Sequence, residues 1–212
     1  MITPYGYGSI RKIFLACLLI DAVSMFFPDG QKMVLLLMST ILLGVTFWFF
    51  RDPERTVPED GKALLSPADG RIILVRKCDN SYTGNGSTLV SIFMSPFDVH
   101  VNRIPVSGRV TLLRYRPGKF LMAFDIRSLE SNESMEIGID TGTARLLFSQ
   151  VSGFLARRIV CTLEEGVRVK AGTRFGMIRF GSRVDVIMPP EASVMVREGQ
   201  KTRAGETLLA RF

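Results

Sequence analysis

The chain has 212 residues, 47% of them hydrophobic, and a formal net charge of +7, which leaves room for one ordinary domain plus an appendage. One histidine and three scattered cysteines (Cys17, Cys78 and Cys161) argue against a Cys/His zinc module or a disulfide framework, and the cysteines read as small buried hydrophobes in a reducing compartment. The basic balance asks for an acidic partner, and with no aromatic-interleaved basic run it favours anionic lipid over nucleic acid.

In chain order, the first elements are two apolar runs, 13–27 and 33–50. The second approaches the roughly 20 residues that span a bilayer. The first is shorter and carries Asp21, which is costly at mid-membrane. Pro28-Asp29-Gly30-Gln31-Lys32 reads as the turn between them. Arg11 and Lys12 precede the pair and Arg51 and Arg55 follow it, so two crossings would leave both ends in the cytoplasm. Trp48 with Phe47, Phe49 and Phe50 resembles an interfacial aromatic belt. The competing readings are a signal peptide, a buried soluble hairpin and a shallow hairpin in one leaflet. Asp21 and the immediate second run weigh against the first of these. The expected division is a membrane-associated helical hairpin over 1–50, a linker over 51–61 and a β-rich domain over 62–212.

Beyond Pro53 and Pro58, short runs rich in β-branched and aromatic residues are broken by Gly, Asp and Asn. They predict strands at 71–76, 88–94, 109–115, 135–139, 144–148, 158–162, 174–178, 183–188, 193–196 and 207–211. Only 120–129 reads as a short helix or irregular segment. Many short strands with Gly turns predict a mainly β, barrel- or sandwich-like domain. An internal repeat supports this, since Glu165-Gly166-Val167-Arg168-Val169-Lys170-Ala171-Gly172 returns 33 residues later as Glu198-Gly199-Gln200-Lys201-Thr202-Arg203-Ala204-Gly205. Each copy is an acidic-Gly turn, a short basic strand and an Ala-Gly turn. The pattern resembles biotinyl/lipoyl hammerhead folds, but 185–196 between the copies holds no lysine for a carrier to modify.

Three segments stand out for chemistry: Ser66-Pro67-Ala68-Asp69-Gly70, then 95–105 with the only histidine, His100, then Arg179-Phe180-Gly181-Ser182-Arg183-Val184-Asp185. Each alone has a bland reading: a turn, a structural histidine, a Gly-Ser pair like Gly8-Ser9 and Gly86-Ser87. In this order, and with RYRPGKF at 114–120 and FFRDPERTVP at 49–58, they resemble the phosphatidylserine decarboxylase family, closest to its short, archaeal-type branch. The resemblance covers essentially the whole chain.

That resemblance implies a pyruvoyl enzyme. Decarboxylating an amino acid requires an electron sink, and no standard side chain is an electrophilic ketone. The resemblance implies that Ser182 attacks the carbonyl of Gly181, that the chain divides into a large fragment, 1–181, paired with a small one, 182–212, and that residue 182 becomes the pyruvoyl cofactor. Neither PLP nor a metal is expected. Asp69, His100 and Ser182 are the expected catalytic set, with His100 as base in maturation and acid in turnover. The expected substrate is phosphatidylserine in an anionic phospholipid membrane, with the catalytic domain on the cytoplasmic side of the cell membrane. A homo-oligomer is left open, and nucleic acid is not expected. Longer members carry two histidines three positions apart in the second segment, where this chain has His100 and Arg103. A guanidinium is no base at neutral pH, so Arg103 reads either as a holder of the substrate carboxylate or phosphate or as a surface strand residue. Arg114-Tyr115-Arg116 and Phe120 are read as lining a lipid path. The rival functions are a non-catalytic membrane-anchored β domain and a pyruvoyl decarboxylase of a soluble amino acid.

Overall fold

The computed structural model describes residues 1–119, 132–153, 158–179 and 181–212. The expected helix or irregular segment at 120–129 lies outside them. The chain divides into two compact units, Met1–Glu54 and Arg55–Phe212.

The first unit is a helical hairpin of α1 (Tyr7–Ser24) and α2 (Asp29–Phe49). Pro28 stands just before α2, where its missing N–H costs nothing, and Asp29 opens the first turn with the charge the helix dipole favours. The helices meet along a narrow seam, where the Cys17 thiol faces the carbonyl of Ser39 at 3.7 Å. Antiparallel pairing of Ile2 with Arg51 ties the two ends together. Outside the seam the surface is apolar: Leu15, Leu19, Phe26, Met33, Met38 and Ile41 are all exposed. Thr40 and Thr46 return their hydroxyls to carbonyls four residues back, which lowers the cost of polar groups on an apolar helix. By length and composition, α2 is long and apolar enough to cross a membrane.

The second unit is mainly β. Its strands are β1 (Ala63–Leu65), β2 (Gly70–Asn80), β3 (Gly84–Met94), β4 (Val101–Arg103), β5 (Gly108–Arg116), β6 (Ser134–Asp140), β7 (Arg145–Val151), β8 (Ile159–Cys161), β9 (Arg168–Val169), β10 (Arg174–Ile178), β11 (Ser182–Met188), β12 (Ser193–Val194), β13 (Lys201–Thr202) and β14 (Leu208–Arg211). All ten expected strands are present, β9 and β13 are the short basic strands of the repeat, and β1 and β4 are additional. An eight-stranded antiparallel sheet, ordered β13-β2-β3-β11-β7-β6-β5-β9, is accompanied by two three-stranded sheets, β1-β14-β12 and β4-β10-β8. Alternation along β11 and β3 turns Val184, Val186, Val90 and Ile92 into one core. Phe148 and Phe175 close that core edge to face at 5.4 Å. Cys78 and Cys161 are only partly buried, Cys161 packing against the core from β8.

The sequence repeat is a structural one. Glu198 Oε1 accepts from the amide of Val75 on β2, and Glu165 Oε1 accepts from that of Leu113 on β5. Gly199 and Ile72 exchange backbone bonds through Gln200, as Gly166 and Val110 do through Val167. Both hairpins, β2–β3 and β5–β6, carry a bulge at the same point, after Ile72 and after Val110. The glycines that turn each copy, Gly166, Gly172, Gly199 and Gly205, all have positive φ, which a side chain would strain.

Candidate active site

Ser182 opens β11, directly opposite Met94 at the end of β3. It is fully buried, and its hydroxyl donates to the Met94 thioether at 3.4 Å. A thioether accepts weakly, so the hydroxyl is placed without being held by a strong partner. β10 ends at Ile178 in one sheet and β11 begins at Ser182 in another. Gly181, just before Ser182, has a left-handed backbone at φ +60°, which glycine adopts without a steric cost. Among the described residues outside its chain neighbours, nothing lies within 4 Å of where a Cβ on Gly181 would stand.

His100 follows a braced turn. The carboxylate of Asp98 accepts from both the amide (2.8 Å) and the hydroxyl (2.7 Å) of Ser95. His100 Nδ1 lies 2.9 Å from the carbonyl oxygen of Asp98. A carbonyl only accepts, so Nδ1 carries the proton and a neutral ring keeps its lone pair on the buried Nε2. The carbonyl of His100 in turn accepts from the amide of Ile178, the last residue of β10. His100, Gly181 and Ser182 therefore belong to one cluster of strand ends, though the Ser182 hydroxyl bonds Met94 and not the imidazole.

Asp69 sits one strand beyond β3. Its Oδ1 accepts from the amide of Ala204 at 2.7 Å and its Oδ2 pairs with Arg55 at 2.7 Å. Burial pushes its carboxyl above the ordinary range, opposed by the Ala204 amide and by Arg55; the Asp98 charge adds a smaller upward push. Both of its oxygens are committed away from His100.

Arg103 is buried, so the surface-strand reading fails. Pairing of β4 with β10 turns it inward, where Nη1 donates to the carbonyl of Gly172 at 3.0 Å. Arg114 and Arg116 pair with Glu136, and Tyr115 donates to Glu133; Phe120 lies outside the described residues.

Three residues at the site escaped the sequence reading. Asn102 Nδ2 reaches the same Met94 sulfur at 3.7 Å, and Gln150 Nε2 donates to Asn102 Oδ1 at 2.9 Å. Met94, Asn102, Gln150 and Ser182 are all fully buried, making a polar thread through the core beneath residue 182. Gln150 did carry a signal: it continues the core-facing register of Leu146 and Phe148, where a polar residue needs a reason. A ketone at residue 182 fits these surroundings, since the only hydrogen-bond partner of the Ser182 hydroxyl among the described residues is a thioether, which loses little if that hydroxyl disappears. Among the described residues no group of three or more His, Cys, Asp or Glu side chains is placed to hold a metal ion.

Residues 42–210 match the family model for phosphatidylserine decarboxylase. Over 212 residues, covering the whole of both chains, the sequence is 58% identical to a phosphatidylserine decarboxylase proenzyme of Pelodictyon phaeoclathratiforme and 57% identical to one of Chlorobium limicola. It is 55% identical to that of Chlorobaculum tepidum, covering 98% of this chain and 96% of the relative.

Proposed function

The chain belongs to the phosphatidylserine decarboxylase family, and from that premise we propose that it converts phosphatidylserine to phosphatidylethanolamine and carbon dioxide at residue 182, after cutting itself between Gly181 and Ser182. The observation that carries the reading is the junction itself: a left-handed Gly181 followed by a fully buried Ser182 at a strand start.

In maturation the Ser182 oxygen attacks the carbonyl carbon of Gly181 and its proton passes to His100 Nε2, the ring nitrogen that the Asp98 carbonyl leaves basic. The Gly181–Ser182 amide becomes an ester. Loss of the Ser182 Cα proton expels the Gly181 carboxylate, and hydrolysis of the resulting dehydroalanine consumes water and releases ammonia. The pyruvoyl group left at residue 182 supplies the ketone that engages the substrate amine and holds the electron pair released with carbon dioxide. His100 returns a proton to the substrate Cα. Asp69 is the charged group that orients this end of the site, and Arg103 is the proposed holder of a substrate anion.

Cleavage does not release the small fragment. Its β11 lies between β3 and β7, its β13 pairs with β2 and its β14 with β1, so 182–212 stays woven into 1–181. The exposed apolar surface of the helical hairpin supports membrane attachment, and the basic residues at both its ends support a cytoplasmic catalytic domain. A lipid substrate accounts for that hairpin where a soluble amino acid does not. The test is carbon dioxide release from phosphatidylserine vesicles. Wild type should be active and Ser182→Ala should lose both chain cleavage and activity; a decarboxylating Ser182→Ala variant contradicts the reading.

A further inference from the structure

Five strand ends converge on the rim above residue 182: the end of β3 against the start of β11, the start of β4 against the end of β10, and the start of β8 beside the latter. From this rim the turn between Ser95 and Asp98 projects Phe97, at 74% the most exposed large apolar side chain described in residues 55–212. The turn is stiff, because the Asp98 carboxylate holds both the amide and the hydroxyl of Ser95. The ring is thus held outward by structure, on the segment that two residues later sets His100. On the same rim the amide of Arg179 bonds the carbonyl of Arg158 at 3.3 Å, and Arg158 is exposed. Burial first, and then the charge of Arg158, lower the Arg179 guanidinium from its ordinary value, so the two cations lie within electrostatic reach.

An aromatic tip on a basic rim has the chemistry of a lipid interface, where a ring sits among headgroups and positive charge meets phosphates. We propose that this rim is a membrane-docking face of the catalytic domain itself: Phe97 inserts among the headgroups of an anionic lipid surface, drawn there by the positive charge that Arg158 and Arg179 give the rim. The inference rests on the phospholipid-decarboxylase reading and adds a second lipid contact to the N-terminal helices. Because residue 182 is buried just beneath the rim, docking here lets a headgroup reach it while its acyl chains stay in the bilayer.

The full chain carries one tryptophan, Trp48, so Phe97→Trp in a Trp48→Phe background reports on this position alone. Reconstituted in vesicles of phosphatidylglycerol and phosphatidylcholine, the reporter should be quenched by brominated acyl chains and shielded from aqueous iodide. Quenching by iodide with indifference to bromine overturns the proposal. In parallel, Phe97→Ser should raise the apparent KM for vesicular phosphatidylserine about tenfold, while kcat changes far less; an unchanged KM also overturns it. If the wild-type chain releases no carbon dioxide, the decarboxylase reading falls by itself, and the quenching experiment still decides whether Phe97 meets lipid.

Discussion

The two copies of the internal repeat solve one structural problem with different chemistry. Ser66-Pro67-Ala68-Asp69-Gly70-Arg71 leads into β2, and Ile104-Pro105-Val106-Ser107-Gly108-Arg109 leads into β5. In each, the residue before the glycine accepts a backbone amide from the Ala-Gly turn of the repeat: Asp69 from Ala204 at 2.7 Å, Ser107 from Ala171 at 2.9 Å. An exposed serine hydroxyl suffices in the second copy. The first uses a carboxylate, buries it and sets Arg55 against it. The turn requires only an acceptor, so the charge at Asp69 exceeds what the fold asks for. The proposed role of Asp69 in the chemistry accounts for such excess in one of two equivalent places.

Making the copies alike breaks the comparison most strongly. Asp69→Ser should keep the fold, because the serine can still accept from Ala204 and Arg55 keeps Glu206. It should slow self-cleavage by at least about a hundredfold, read as the loss of small fragment on a denaturing gel. If Asp69→Ser matures normally, the carboxylate is no more than a turn cap. The same pair of proteins carries a pH signature. The folded Asp69 carboxyl titrates above its ordinary value, so its contribution to stability is full below the unfolded value and is lost as pH rises through the folded one. The melting temperature of wild type relative to Asp69→Ser should therefore be highest in acid and decline toward neutral pH.

Arg55→Gln comes next in size. It removes an influence that lowers the Asp69 carboxyl, so the acid limb of self-cleavage should move to higher pH. A limb that stays in place separates Asp69 ionisation from maturation. Ser107→Ala, the counterpart in the other copy, should cost only about 0.5–1 kcal/mol of stability and leave cleavage intact by urea melt and gel. The smallest contrast is between Glu165→Gln and Glu198→Gln. Both lose a charge-assisted bond to a strand amide, and their stability losses should agree within about 0.5 kcal/mol; a large difference would mean that the copies are not energetically equivalent.

Much of this was legible in the residues. Short runs rich in β-branched and aromatic residues, broken by Gly, Asp and Asn, point to ten strands, because such residues fit a pleated surface and the runs are too brief for a helix. Strands β1 and β4 are three residues each, too brief to carry that signature: Ala63, Leu64 and Leu65 are buried without a break, as are Val101, Asn102 and Arg103, and partners distant in sequence hold them. The proposed cleavage junction is legible as Gly181-Ser182, and His100 stands out as the single imidazole. Met94, Asn102 and Gln150 do not stand out as a group in the sequence, because β3 and β7 flank β11 in one sheet while Asn102 reaches the site from β4 in another. Arg103 shows the same limit. Nothing local distinguishes a strand arginine facing water from one turned onto the carbonyl of Gly172.

The account stands on a peptide serine becoming a ketone, and intact-mass measurement of catalytically active protein tests this most directly. The predicted result is two chains, the smaller comprising residues 182–212 and lighter, by the mass of one ammonia, than a peptide starting with serine. Activity from a single uncut chain of 212 residues, with the serine hydroxyl still in place, would contradict it.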